Sequence, residues 1–360
     1  MDRHNNTYND RHLTADEHSY RGFFSYRKPT EIGCFSVDET KAFCDDGKAK
    51  LKVFCPPPEN QDFQFDLKLG FDSFIDAFSK LKVDCVHAGN CENNLIWLIK
   101  HNRNLKADFI CLGGGILHKI VCSPYASDDW ALGVSKFNGT LYVCEFATDK
   151  KVNSGVTFQR SDEYTYWGHK FEHYVTRKIT DERPENRLTP INNTECYRSV
   201  MQADINKKHS LIFNAEIDCF GRARADRPHD EYIELKTHHK LRHIHRLKLL
   251  RWWAQSFLNG TKTIVCGFRD DDGIVDRIQS YEVDNLPKME APGPPWRTDV
   301  CMNFYSEFLS FVKKTVIEDD PKVVYMFRFD PDERRRVVVE KKPRGSPNVF
   351  MPDWYIEEMA

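Results

Sequence analysis

Two short stretches, Asn214-Ala215-Glu216-Ile217-Asp218-Cys219 and Glu231-Tyr232-Ile233-Glu234-Leu235-Lys236, decide how this chain is read. Each has strand character, and side chains two apart on a strand share a face. Glu216 and Asp218 are therefore expected to project together, with Ile217 turned to a core. Glu234 and Lys236 repeat the device around Leu235. The interval 220–230 is polar and turn-like, so the two strands are expected to be antiparallel neighbours. Three carboxylates and one ammonium then converge. Carboxylates crowded this way repel unless a hard cation neutralises them, which makes Mg²⁺ or Mn²⁺ the natural occupant. A lysine beside them can orient a water or offset charge developing on a phosphoryl oxygen.

Similar triplets occur at Glu282-Val283-Asp284, Glu39-Thr40-Lys41 and Glu340-Lys341-Lys342, where they read as ordinary solvated surface pairs. Order and context separate the pair at 216/218 and 234/236: consecutive strands with a hydrophobic middle residue, followed at once by a long helical pattern. Working outward, strands are expected at 51–54, 109–112, 117–122, 140–146, 211–219, 232–236, 263–268 and 323–329. Helices are expected at 70–81, 93–102, 162–176, 240–258 and 300–316, the third with Ser161 as N-cap and the fourth stopping at Asn259-Gly260. The mixture predicts an α/β (α+β) chain of twisted mixed sheets flanked by helices, as a single domain over 23–345. A polar, disordered N-terminus is expected over 1–22, and a fraying C-terminal tail over 346–360.

The composition excludes several classes. The 360 residues carry 52 Lys+Arg against 54 Asp+Glu, a net charge of −2, which argues against coating nucleic acid by bulk electrostatics. No stretch approaches the roughly 18–20 apolar residues of a membrane span, and the N-terminus lacks an apolar h-region. None of the 12 cysteines falls in a Cys-x-x-Cys pair, and several lie inside apolar runs, as in a reduced nuclear or cytosolic protein that is not secreted. The triplet Asn259-Gly260-Thr261 then has no bearing on glycosylation.

The order Asp218…Glu234-x-Lys236 is that of the PD-(D/E)xK nuclease superfamily, and most of the chain resembles one family more closely: the decapping exoribonucleases of the DXO type. Tyr26-Arg27-Lys28-Pro29 with Glu31-Ile32-Gly33-Cys34-Phe35-Ser36 is similar to that family's N-terminal signature. Gly168-His169-Lys170-Phe171-Glu172 resembles its glycine-to-glutamate motif. Glu216-Ile217-Asp218 and Glu234-Leu235-Lys236 match its two later acidic motifs. Trp252 to Phe257, Ile264 to Arg269, and Val300 to Phe304 with Phe308 to Phe311 continue the likeness.

The resemblance implies a PD-(D/E)xK nuclease-like core in which Glu172, Glu216, Asp218 and Glu234 hold metal, two ions in all, with the backbone carbonyl of Leu235 as a further ligand. Lys236 and Gln255 would meet the scissile phosphate or its water. The implied activity is hydrolysis at RNA 5′ ends: pyrophosphate from triphosphate ends, incomplete caps, NAD caps, then 5′→3′ degradation. All are phosphoryl transfers, so one site can serve them. A separate 5′→3′ exoribonuclease is an implied partner. Two positions depart from the pattern. Gly114 stands where the family has an arginine, the residue suited to gripping phosphate with two donors. His169 stands where it has a hydrophobic or aromatic residue.

Other features are weighed against plainer readings. The run from Lys240 to Arg251 is basic, and as a helix it would offer Arg242 and Arg246 to an RNA backbone; the alternative is a solvated helix face. His239 and His243 have helical spacing for a metal but no third ligand. Gly113-Gly114-Gly115 lacks the Lys-Ser/Thr of a phosphate loop and reads as a tight turn. Trp252 and Trp253 read as core residues, and Arg334 to Arg336 as a charged strand or tail. Two function classes follow: a metal-dependent hydrolase of RNA 5′ ends, carried by four carboxylates, or an inactive relative that binds 5′ ends or a protein partner, favoured by Gly114. A DNA nuclease fits the acidic pattern but not the flanking motifs.

Overall fold

The computed structural model describes residues 12–58, 61–71, 91–101, 106–148, 150, 159–181, 188, 191–221 and 231–360. Its strands are β1 (Leu13–Thr14), β2 (Tyr26–Val37), β3 (Phe43–Cys44), β4 (Lys52–Phe54), β5 (Phe65–Asp66), β6 (Phe109–Cys111), β7 (Trp130–Phe137), β8 (Thr140–Phe146) and β9 (Thr176–Lys178). They continue with β10 (Cys196–Ile205), β11 (His209–Glu216), β12 (Cys219–Gly221), β13 (Glu231–His239), β14 (Thr263–Arg269), β15 (Ile274–Glu282), β16 (Asp320–Asp330) and β17 (Arg336–Lys342). The α-helices are α1 (Cys91–His101), α2 (Gly115–Cys122), α3 (Gln159–Val175), α4 (Arg246–Leu258), α5 (Thr298–Thr315) and α6 (Asp353–Met359).

Among the described residues two mixed sheets form. The larger runs β1-β17-β16-β7-β8-β6-β11-β10-β2-β3, the smaller β5-β15-β14-β13-β12-β4-β9. In the larger sheet β6 lies between β8 and β11 and is parallel to both. Both faces of this centre are covered, which is why its strands read as unbroken apolar runs. Leu141 and Val143 of β8 face a core shared with α2, α4 and α5, whereas Tyr142 and Cys144 face a second core with Trp97 of α1 and Tyr355 of α6. The β7–β8 turn is Asn138-Gly139, both at positive φ, the two-residue hairpin geometry that asparagine and glycine tolerate. In the smaller sheet β13 and β14 are parallel, and α3 covers one face with Trp167, Phe171 and Tyr174 against Ile233, Leu235 and Val265.

Five expectations are corrected. Residues 117–122, read as a strand, belong to α2: Ile116, Leu117, Ile120 and Val121 are buried at helical spacing, against α4 and α5. The expected strand 211–219 is broken after Glu216. Its first part, β11, lies in the larger sheet and β12 in the smaller, so Ile217 and Asp218 form the crossing between them. Only β12 pairs antiparallel with β13, through Cys219 and Ile233. The long helix from 240 begins instead at Arg246, because β13 continues to His239 and His245 then caps the helix by accepting from the Leu247 N–H. Residues 346–360 do not fray: Tyr355 of α6 is fully buried and its hydroxyl meets that of Tyr142 at 2.9 Å. The start of the chain is likewise partly attached, since β1 pairs with β17 and Ala15 is buried. The helix expected over 70–81 falls, past Phe71, outside the described residues. Among the described residues no helix is long and apolar enough to cross a membrane.

Candidate active site

Each candidate ligand arrives from a different piece of the fold. Glu216 is the last residue of β11, and the register of the β10–β11 hairpin sets Arg198 directly opposite it. The end of β11 is anchored by a buried amide chain, in which Asn214 donates to Asn94 of α1 and Asn94 donates to the Leu112 carbonyl. Asp218 follows the buried Ile217 across to the smaller sheet and accepts the Leu235 N–H at 2.7 Å. Alternation along β13 sends Leu235 into the core under α3 and leaves Glu234 and Lys236 on the other face, where α4 brings Gln255. Glu172 comes from α3, which approaches β14 closely enough that a Cβ on Gly267 would lie 2.5 Å from the Phe171 ring.

The contacts interlock. Lys236 donates to Glu234 and, at 3.1 Å, to the Gln255 side-chain oxygen, while the Gln255 amide donates to Glu234 at 2.7 Å. Arg198 donates to Glu216 at 2.8 Å and to the Asn214 side-chain oxygen at 3.1 Å. His169 lies 3.6 Å from Glu172. Burial, then the charges of Glu234 and Glu172, push the Asp218 carboxyl well above the usual carboxylate range. Burial would do the same to Glu172, but the His169 hydrogen bond, with Lys52 and Lys236 nearby, holds it below. Burial opposes the Lys236 charge, and Glu234 and Asp218 outweigh it and raise its pKa. Burial and the neighbouring Lys119 and Lys236 depress His118 to about 4, so it is neutral at pH 7.

The carboxylates form a partition between two cavities. One, of about 330 Å³, is lined by Gly114, His118, Arg198, Lys236 and Gln255. The other, of about 270 Å³, is lined by Lys50, Lys52, His169, His173 and Lys178. Glu172, Glu216 and Asp218 border both. The expected set of Glu172, Glu216, Asp218, Glu234, Leu235, Lys236 and Gln255 thus lines one cavity together. Arg242 and Arg246 line neither. Arg242 sits in the turn before α4, where its carbonyl meets His238, and Arg246 donates to the Ala291 carbonyl. The His239–His243 pair does not share a helix, and His239 meets Asp271 at 3.0 Å.

The donor set suits a divalent cation chemically. Three hard carboxylates form the partition and Glu234 joins them on one side, and Asp218 carries the cost of facing two like charges at a half-buried position. Among the described residues no three His, Cys, Asp or Glu side chains are already gathered around one point at ligand distance. Protein donors hold them instead: Arg198 on Glu216, Lys236 and Gln255 on Glu234. Arg198 and Asn214 escaped sequence reasoning. The usable signal was hairpin register, since pairing Ile205 with His209 sets Arg198 opposite Glu216.

A family model described as RAI1 like PD-(D/E)XK nuclease matches residues 27–356. The decapping and exoribonuclease protein of Bos taurus is 33% identical over 97% of this chain and 89% of its own length. Two solved structures share the fold: Candida albicans Rai1 in complex with pU5 and Mn²⁺ (TM-score 0.77, 20% identity, 97% of this chain and 99% of that one) and Scheffersomyces stipitis Rai1 in complex with (3′-NADP)⁺ and calcium ion (TM-score 0.78, 21% identity, the same shares of both chains). Relatives are named decapping nuclease or exoribonuclease, and Mn²⁺ and calcium occur in the related structures.

Proposed function

This chain belongs to the RAI1-like PD-(D/E)XK nuclease family, and from that premise we propose that it is a divalent-metal-dependent hydrolase of RNA 5′ ends. The reactions are removal of pyrophosphate from triphosphate ends, of incomplete caps and of NAD caps, followed by 5′→3′ degradation. The observation that carries this reading is the union of four carboxylates, from both sheets, the crossing between them and a covering helix, with the Lys236–Gln255 pair along one cavity.

Glu172, Glu216, Asp218 and Glu234, with the Leu235 carbonyl, would hold Mg²⁺ or Mn²⁺, two ions in the reading adopted here. When bound, such ions polarise a phosphoryl oxygen and make a water acidic enough to attack near neutral pH. The chain's own residues do the rest. Lys236 keeps its proton because Glu234 and Asp218 outweigh burial, so it supplies fixed positive charge toward the phosphoryl oxygens rather than acting as a base. Gln255 accepts from Lys236 and donates to Glu234, which fixes the direction of both. His118, half-buried and neutral, adds no competing charge. Lys50, Lys52 and Lys178 in the adjoining cavity suit the backbone of the RNA. The absence of any Cys-x-x-Cys pair and the placing of several cysteines inside apolar runs fit a reducing compartment, nucleus or cytoplasm. A separate 5′→3′ exoribonuclease is a fitting partner for the monophosphate ends produced.

The test is release from RNAs ending in monophosphate, triphosphate, unmethylated cap and NAD, with Mg²⁺ and then Mn²⁺. Release is expected from at least one, and Glu216→Ala combined with Asp218→Ala is expected to slow it at least about a thousandfold. RNA that binds but is never processed would sink the hydrolase reading in favour of a binding protein.

A further inference from the structure

Among the described residues Arg198 is the one arginine lining the cavity that holds Lys236 and Gln255, and its side chain is only 13% exposed. Three of its N–H groups are engaged: Nε with the Cys196 sulfur at 3.3 Å, one Nη with Asn214 and the other with Glu216. A guanidinium has five N–H donors, so two are left over for the cavity. It is held from behind by its own sheet, since Asn214 and Glu216 are its neighbours across the β10–β11 hairpin. Such a fixed fork, mostly withdrawn from water, is what recognises a phosphate with two parallel hydrogen bonds.

Gly114 borders the same cavity and abuts the same residue. A Cβ there would lie 2.2 Å from the Asn214 carbonyl oxygen, a backbone atom that cannot step aside as a side-chain tip does. The α2 side of the cavity therefore carries no side chain at 114, and the position cannot accept one while β11 stays where it holds Arg198. A glycine at 114 and an arginine at 198 fit together around Asn214.

We propose that Arg198, presented from the β10 side, grips a phosphate of the bound RNA 5′ end, in place of a basic residue at 114. This rests on the RNA 5′-end reading above. Metal bound at the partition would share the Glu216 carboxylate and so loosen its hold on Arg198. Cys196 and Asn214 would still hold the guanidinium in place as the site fills.

The experiment is equilibrium binding, by fluorescence anisotropy in Mg²⁺, of a short 5′-monophosphate RNA with phosphorothioate linkages that slow cleavage. Mn²⁺ affinity and melting temperature are measured on the same proteins. Arg198→Ala is expected to weaken RNA binding roughly tenfold to a hundredfold, the range of a charge-assisted contact. Mn²⁺ affinity should hold or tighten, because Glu216 loses a competitor. Arg198→Lys, a point charge without the fork, should restore part of the loss, and it carries the test if Arg198→Ala does not fold. RNA affinity unchanged in R198A and R198K overturns the proposal. So does a loss matched by an equal loss of Mn²⁺ affinity, which would mean that Arg198 only shapes Glu216. Wild-type protein that binds no RNA overturns this inference and the 5′-end reading together, whereas binding wild type with an indifferent R198A overturns this inference alone.

Discussion

Lys236 and His209 show how single positions are set by their surroundings. Lys236 is half-buried against the Glu234 and Asp218 charges, which keep it a cation throughout the neutral range. Lys236→Gln removes that charge at nearly constant size, and kcat is expected to fall about a hundred- to a thousandfold, with a smaller change in KM. An unchanged kcat would place Lys236 away from the reacting phosphate. His209 is the opposite case. It is 4% exposed, faces Ser310 at 3.0 Å, and burial with the nearby Lys313 charge lowers its pKa to about 4. Its folded pKa lies below that of the unfolded chain, so the unfolded state binds the proton more readily. The stability it contributes is complete above about pH 6.5 and is lost as pH falls toward 4. At pH 5 the loss is about 2 kcal/mol. Urea unfolding of His209→Gln at pH 7.5 and pH 5 should show the difference between the two pH values shrinking by about that amount; an unaltered difference would refute the assignment.

The elements carry constraints that no one residue shows. The turn before α2 contains two glycines in different environments: a Cβ at 113 meets nothing within 4 Å, whereas at 114 it meets the Asn214 backbone. Gly114→Ala is expected to destabilise the fold by about 1–3 kcal/mol through forced separation of α2 and β11. Gly113→Ala should stay within about 0.5 kcal/mol. Equal effects in a denaturant midpoint would show that the close approach is not real. The same geometry means that an arginine introduced at 114 should cost stability rather than restore a phosphate grip. Element type was also where pattern reading failed. The run from Leu117 to Cys122 is apolar enough for a strand, and only its packing against α4 and α5 makes it a helix. The basic run after Lys240 is divided for a similar reason: β13 needs His238 and His239 to complete its pairing with Phe268 and Arg269.

At the scale of the whole molecule the site is a joint. Glu216 ends a strand of the larger sheet, Glu234 lies within the smaller one, Asp218 sits on the crossing between them and Glu172 on a covering helix. A cation shared by these carboxylates ties separate layers together, so it should stabilise folding by mass action, about 2.7 kcal/mol at one hundred times its Kd. Mn²⁺ is expected to raise Tm by several degrees, a chelator to reverse it, and Asp218→Asn with Glu234→Gln to abolish it. Because Asp218 holds its proton unusually firmly, the metal must displace it, and the shift should grow as pH rises. A Tm indifferent to millimolar Mn²⁺ would contradict the assignment. The overall charge of −2 then says little about RNA affinity. Cations held at the partition would cancel its negative charge, and Lys50, Lys52 and Lys178 gather in the adjoining cavity.

The amino-acid sequence by itself determined which candidate groups to look for: the carboxylates, the lysine and the glutamine that the fold brings to one cavity. Residue order, strand alternation at Glu234 and Lys236 and the flanking motifs are local properties that survive without coordinates. Tertiary structure alone decided how those groups are delivered. It broke the strand after Glu216 and passed Asp218 to a second sheet. It made the glycine at 114 a steric necessity and brought Arg198 to the cavity through the register of a hairpin. The reason is physical. Alternation reports which face a side chain takes, but sheet membership and the approach of one backbone to another are settled by packing between segments far apart in sequence.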